Sequence, residues 1–406
     1  MLPKIGNVSS QWGQQGGKQV LILQNALGLS PAAIALPAAL AALLPLCDGT
    51  RDISALRASL MVRAGVRVAE ETLAQIIEQM DLALLFENGR QAVVLAERLR
   101  AYRSAQQREP VSAGAGYPSD PDECRRMLES YLRELPAETP ALPAPADAAR
   151  AVISPHIDYA RGGLTYAQVW SLARPAVETA DLVVVLGTDH HGPDGAITLT
   201  RQRYSTPWGA LETDVEAVDQ LAGAIGTERA FAHEYHHAIE HSVELAAVWL
   251  RHIAPAAGFK LLPIICGSFA AFVDGRRRVE DDEGIQGAVA GLRALSAAGR
   301  RVLFVAAVDL AHIGPAFGGS PVGPVERGLC AGADERLLQI VAQGNAAGFL
   351  DFIRCESDRR NVCGVPPLYV LLRVLEPARG ITLGYRQCPA DMAGASVVSI
   401  AGGLLW

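Results

Sequence analysis

The sequence predicts a three-layer α/β sandwich preceded by a small winged-helix-like unit, and three observations carry the prediction. Through residues 111–406, short apolar runs alternate with amphipathic helical stretches, the signature of buried strands covered by helices. Polar clusters rich in histidine follow three of those runs directly. Ahead of them, residues 19–110 read as one strand, three helical segments and a closing hairpin.

Bulk composition sets the class. At 406 residues the chain is too long for one ordinary core, so two domains are expected. Half of the residues are hydrophobic and 19% charged, which is globular rather than disordered. A net charge of −7 gives no basic field, so nucleic acid is not an expected partner. The seven cysteines (47, 124, 266, 330, 355, 363 and 388) are scattered without paired spacing, which argues against a disulfide framework. The most apolar stretch, Ala32 to Cys47, is too short to span a bilayer and contains Pro37 and Pro45. Residues 1–18 lack the apolar core of a signal peptide and read as a flexible tail. These features lead to the expectation of a cytoplasmic protein that does not engage a membrane.

In the first region, 19–110, QVLILQ reads as a strand and 37–46 as a Pro-punctuated helix. A turn is expected at Asp48-Gly49, then a helix capped near Asp52 or Ser54. Apolar residues at 73, 76, 77 and 80 have helical spacing, and GRQAVVLAERL is expected to supply the closing strand. Basic and acidic residues are equal in number here, which disfavours DNA binding. In the second region, 111–406, an amphipathic helix within 114–135 precedes a Pro/Ala-rich connector over 135–150. ARAVIS, DLVVVLG, KLLPIICG, RVLFVAAVDL, ITLGYR and SVVSIAGG then read as strands, with helices such as VEAVDQLAGAI and SVELAAVWLRHI between them.

The chemistry gathers at strand ends. His156 and Asp158 follow the first strand, Asp189, His190 and His191 the second, and Asp309 and His312 close another. In open α/β sheets ligands bind beyond the carboxyl ends of strands, so such loops can converge from distant sequence positions. Glu240, His241 and Glu244 sit at a helix start. His233, Glu234 and His237 have the HExxH spacing of zinc proteases, but the string precedes the predicted helix and lacks an apolar face, which argues against that reading. Cys363 opens an apolar helix, a position that favours the thiolate. The alternative is a small buried cysteine, as expected for Cys266.

Two resemblances add to this reading. LPLCDGTRDISALRASL and EETLAQIIEQMDLALLF resemble the PqqD-like fold, which implies a leader peptide added as a strand to the sheet edge. The alternative is a helical appendage with a packing role. The ordered strings SPHIDY, GTDHHG, EHSVE, AVDLAHIG and NVCGVPP resemble the Memo-like family, which is similar to class III extradiol dioxygenases. They match, in order, its PHAGY-, GPSHH-, EHSIE-, SSDFxHWG- and NxICGxxPI-like segments. The resemblance implies metal binding by His156, His190 and Cys363, with His312 lining the same pocket beside Asp309. This chain departs from the pattern at SAGAGYPSD, which lacks a histidine, at Ile157-Asp158, and at Asp189 where serine is common.

The expected function is a metal-dependent redox enzyme, holding one transition-metal ion (iron, copper or zinc). His312 would act as general acid/base oriented by Asp309, with His241 and Glu240 supporting the pocket wall. The alternative is a non-catalytic metal-binding or peptide-docking adaptor. Bacterial Memo-like proteins also resemble the B component of the AmmeMemoRadiSam system, which implies a radical SAM enzyme and an AMMECR-like protein as partners.

Overall fold

The computed structural model describes residues 4–137 and 140–406, which form two compact units, Met1–Ser104 and Ala105–Trp406. The division falls earlier than the expected boundary at 110/111. Its cause is Arg108, whose fully buried guanidinium belongs to the second unit through an ion pair with Glu244.

The first unit contains strands β1 (Lys4–Ile5), β2 (Val8–Gln15), β3 (Lys18–Asn25) and β4 (Ala33–Pro37), then a 3-10 helix over Ala38–Leu46. Helices α1 (Ile53–Ala64) and α2 (Glu70–Leu82), the short strand β5 (Phe86–Glu87) and helix α3 (Gly89–Ser104) complete it. Asp52 caps α1 by accepting from the Ala55 amide at 2.8 Å, and Gly65 ends it at φ 67°. Leu23, Leu43, Leu56, Leu60, Leu73 and Met80 build the core between sheet and helices.

Two expectations change here. Residues 8–15, read as part of a loose tail, pair antiparallel with β3 along their whole length; residues 1–3 of that tail lie outside the described residues. The tail's polarity misled, because β2 needs its partner strand rather than an apolar face. QVLILQ is therefore the middle strand of β2-β3-β4, and an added peptide would have to pair with β2 or β4. GRQAVVLAERL is helix, not strand: the Asn88 side chain accepts from the Gln91 amide and starts α3 in place of a hairpin turn.

The second unit opens with α4 (Pro121–Arg133); the connector that follows includes residues 138 and 139, which lie outside the described residues. Then come β6 (Ala151–Ser154), α5 (Tyr159–Thr179), β7 (Leu182–Thr188), β8 (Ile197–Leu199), α6 (Val215–Ile225), α7 (Thr227–Phe231) and α8 (Ser242–Ile253). After them lie β9 (Lys260–Cys266), α9 (Ala270–Val273), α10 (Glu283–Ala297), β10 (Val302–Ala307) and β11 (His312–Ile313). The chain closes with α11 (Pro324–Ala342), α12 (Ala346–Cys355), α13 (Val365–Leu375), β12 (Gly380–Pro389) and β13 (Val397–Leu405).

The strands form one mixed sheet of order β11-β13-β6-β10-β7-β9-β8, with β12 on the other edge of β13. Strands β6, β10, β7 and β9 are parallel neighbours, and helices cover both faces, so their residues are almost continuously apolar. Val152, Val183, Val185 and Val305 pack with Trp170 of α5 and Trp249 of α8. On the other face Ile153, Val184, Leu186 and Phe304 pack with Leu221, Leu292 and Leu371 of α6, α10 and α13. The result is the expected three-layer sandwich. Among the described residues, no helix is long and apolar enough to cross a membrane.

Candidate metal centre

The sheet order explains why distant loops meet. β10 lies between β6 and β7, and Ala307 is level with both Ser154 and Gly187. The segments that leave these three strand ends carry His156, His190 and Asp309, so they emerge side by side. His241 reaches the same place from the amino end of α8, and Cys363 from the turn before α13.

His156, His190 and His241 form a cluster in which one ring nitrogen of each lies within 4.8 Å of the others. Each Nδ1 is already engaged. That of His156 is 2.9 Å from the Ala307 carbonyl, that of His190 is 2.9 Å from Glu240 Oε2, and that of His241 is 3.2 Å from Glu240 Oε1. The Nε2 atoms are therefore the ones left for a ligand. Fixing Nδ1 by a carbonyl or carboxylate sets ring tautomer and orientation, as is usual around metal-bound histidine. Glu240 is buried and also accepts from the backbone nitrogens of His190, His241 and Ser242. Burial disfavours its charge, but the charges of His190 and His241 and the hydrogen bonds from their rings hold its pKa well below the carboxylate range.

Cys363 completes the group: its sulfur is 3.3 Å from His156 Nε2 and 3.5 Å from the Asp309 carbonyl. Burial opposes the thiolate, yet the His156 imidazole and hydrogen bonds from His156 and His190 lower the thiol's pKa from 9.0 to about 5. The other side of that pair is His156, where burial favours the neutral ring but the Cys363 and Asp309 charges prevail and raise the pKa to about 9. Two imidazoles, a third beside them and an ionised sulfur form a donor set suited to a borderline or soft transition metal.

The remaining expected site residues take different places. Asp309, expected to orient His312, instead accepts from the backbone nitrogens of His156 and Ile157 and lies 3.7 Å from His156 Nε2. The His312 ring is held instead by the Leu310 carbonyl, 3.0 Å from its Nδ1. His312 remains half-buried, on the wall of both cavities beside the cluster. His241 and Glu240, expected in the pocket wall, stand at the centre. Their adjacency at a helix start was the available signal, since a carboxylate preceding a histidine there can bond two ring nitrogens. Asp158 does not reach the cluster; it caps α5 and pairs with Arg161.

The HExxH string is not a site. His237 bonds the Tyr204 hydroxyl through Nδ1 and the Thr198 carbonyl through Nε2, which leaves no ring nitrogen for zinc. Its neighbour His236 pairs with the buried Asp189 carboxylate at 2.8 Å.

Two cavities flank the cluster. One of about 620 Å³ is lined by His190, His312, Cys363, Phe269, Val365 and Asp358 among others. The second, of about 600 Å³, is lined by His156, His190, His241, Arg161 and Asp309. The histidine cluster is thus open to solvent on two sides.

A family model described as Memo-like protein matches residues 108–404. The chain belongs to the Memo-like family. It is 25% identical to a MEMO1 family protein of Aquifex aeolicus over 394 residues, covering 94% of each chain. A MEMO1 family protein of Thermus thermophilus is 24% identical over 364 residues, which is 87% of this chain and 98% of the relative. The corresponding protein of Archaeoglobus fulgidus is 29% identical over 208 residues, 51% of this chain and 69% of its own. The Aquifex match is long enough that it must run through most of the first unit as well as the Memo-like one.

Proposed function

We propose that this Memo-like chain is a metal-dependent redox enzyme, of the non-haem iron or copper type, acting on a small molecule or peptide group admitted to the cleft. The observation that supports the reading most is the histidine cluster itself, with its Nδ1 atoms tethered and two cavities meeting at its open side. A purely structural site would be closed off by protein. His156 and His190 would hold the metal, with Cys363 and His241 supplying the further donors. A bound transition metal would supply an electron-transferring and Lewis-acidic centre there.

The protein's own groups divide the remaining work. Glu240 engages the Nδ1 atoms of two imidazoles and so turns their Nε2 atoms toward the cleft. Asp309 pins the His156 loop. His312 donates Nδ1–H to Leu310, so its Nε2 is free to take or return a proton from a molecule in either cavity. The seven cysteines are all unpaired, in keeping with a reducing, cytoplasmic setting. In the same reading a leader peptide would pair with the edges of the first unit's sheet, and a radical SAM enzyme and an AMMECR-like protein are candidate partners to be sought by co-purification.

The test is metal analysis after anaerobic purification and reconstitution with iron(II), copper(I) or zinc, followed by oxygen-consumption measurements. One ion per chain and substrate-dependent oxygen uptake are expected. One ion without turnover would favour the adaptor reading, and no ion under any condition would remove both.

A further inference from the structure

The cavity of about 620 Å³ differs from its neighbour in charge. Its walls are apolar, with Phe269, Phe317, Val273, Val362, Val365 and Pro366, and no lysine or arginine lines it. Its ionisable residues include Asp189, already bound to His236, and Asp358. Asp358 accepts from the Val362 amide at 2.9 Å, and among the described residues it has no ion pair. Of the two arginines that follow it, Arg360 is committed to Asp334 and Glu356, and Arg359 donates to the Glu356 carbonyl. Asn361 also lines the cavity; its amide nitrogen donates to the His312 carbonyl, which leaves its side-chain oxygen as a second acceptor. In the other cavity Arg161 is paired with Asp158, whereas the basic groups that line this one are the histidines His190 and His312 alone.

Asp358 and Asn361 hold φ values of 45° and 49°, in the left-handed region that costs non-glycine residues free energy. Both residues line the cavity. Asp358 is half-buried and forms no ion pair among the described residues, and burial lifts its pKa from 3.8 to about 6 against the lowering effect of the Val362 amide and the Arg360 charge. A cation entering the cavity favours the charged carboxylate, and aromatic rings around it add to the attraction.

We propose that this cavity binds the ammonium end of an apolar, amine-bearing molecule, with Asp358 as the specificity-determining acceptor and the reacting portion turned toward His190, His312 and Cys363. This deepens the reading of the cleft as a substrate site and rests on it. A charge-assisted hydrogen bond in such a setting is stronger than a neutral one, which corresponds to a tenfold or greater preference.

The experiment compares three probes of similar size, 2-phenylethylamine, 2-phenylethanol and 3-phenylpropionate, by calorimetry or ligand-observed NMR on the full chain. Each is measured on metal-free and metal-loaded protein, wild type and Asp358→Asn. The asparagine keeps an acceptor for the Val362 amide, so the loop is retained. Expected is at least a tenfold preference for the amine over the alcohol, falling to about unity in Asp358→Asn while alcohol affinity changes less than about twofold. A preference for the acid, equal binding of amine and alcohol, a preference that survives Asp358→Asn, or no binding of any probe would overturn the assignment. Amine selectivity in a protein that takes up no metal would sink the redox reading alone, whereas metal uptake without amine selectivity would sink only this one.

Discussion

Glu240 holds His190 at both ends, with Oε2 2.9 Å from the ring Nδ1 and 3.1 Å from the backbone nitrogen. Its other oxygen lies 3.2 Å from the His241 ring, so one carboxylate orients two imidazoles of the cluster.

Glu240→Gln retains size and can still accept hydrogen bonds, but it removes the charge that stabilises both rings. Metal affinity should fall by about 10- to 100-fold, the usual cost of losing such a partner. Competition with a chromophoric chelator measures it; unchanged affinity would mean that the histidines are oriented by packing alone.

Cys363 and His241 compete for the role of third donor. Cys363→Ser should lower copper(I) or zinc affinity sharply, since a hydroxyl is a hard and poorly ionised donor. His241→Ala should lower it as well if the third imidazole binds. A limiting alkylating reagent at pH 6 should modify Cys363 before the exposed Cys355, because the former's pKa is about 5. Metal should protect it. Equal labelling of both thiols would show that Cys363 is ordinary.

His312→Ala should leave metal content intact and reduce turnover by about a hundredfold, as for loss of a general acid/base. Loss of metal in this variant would instead make His312 a ligand.

Burial lowers the pKa of His237 from 6.5 to about 4. The unfolded chain therefore binds a proton at a pH where the folded one does not, and stability rises with pH across that interval. It is fully present above pH 6.5 and is lost as pH falls toward 4, by up to about 3 kcal/mol. Denaturant midpoints measured at pH 7 and pH 4.5 should differ less in His237→Gln than in the wild type. An unchanged difference would assign the acid sensitivity to other groups.

Glu244 is fully buried and accepts from Arg108, the Val111 and Ser112 amides and the Tyr117 hydroxyl. Glu244→Ala removes the carboxylate that faces the buried Arg108 and accepts from three further donors, and should cost about 3–5 kcal/mol. Thermal denaturation checks it, and a loss below about 1 kcal/mol would mean that the segment 108–117 relaxes onto water.

The layers of the second unit were legible because burial on both faces writes continuous apolar runs such as DLVVVLG into the sequence. His156, His190 and Cys363 could be picked out since each follows a strand or opens a helix. What the sequence hid is pairing. Nothing local shows that Asp309 serves the His156 backbone rather than His312, or that one carboxylate, Glu240, serves two rings. Those bonds depend on which strands are neighbours. The β2 strand was missed for a related reason, because its polar residues are organised by β3 and not by a core.

The position of β10 between β6 and β7 has a consequence for how the protein is made. β6 is complete at Ser154, yet its neighbours begin only at Val302 and Val397. At about 5–20 residues per second, β6 waits on the order of ten seconds for its first partner, while β7 and β9 can already pair. His156 therefore gains its fixed position only once β10 has been made, and Cys363 its place beside it later still. A nascent or truncated chain that ends before β10 has no means of aligning the two, so metal loading is expected to wait until the segment through Cys363 has been made.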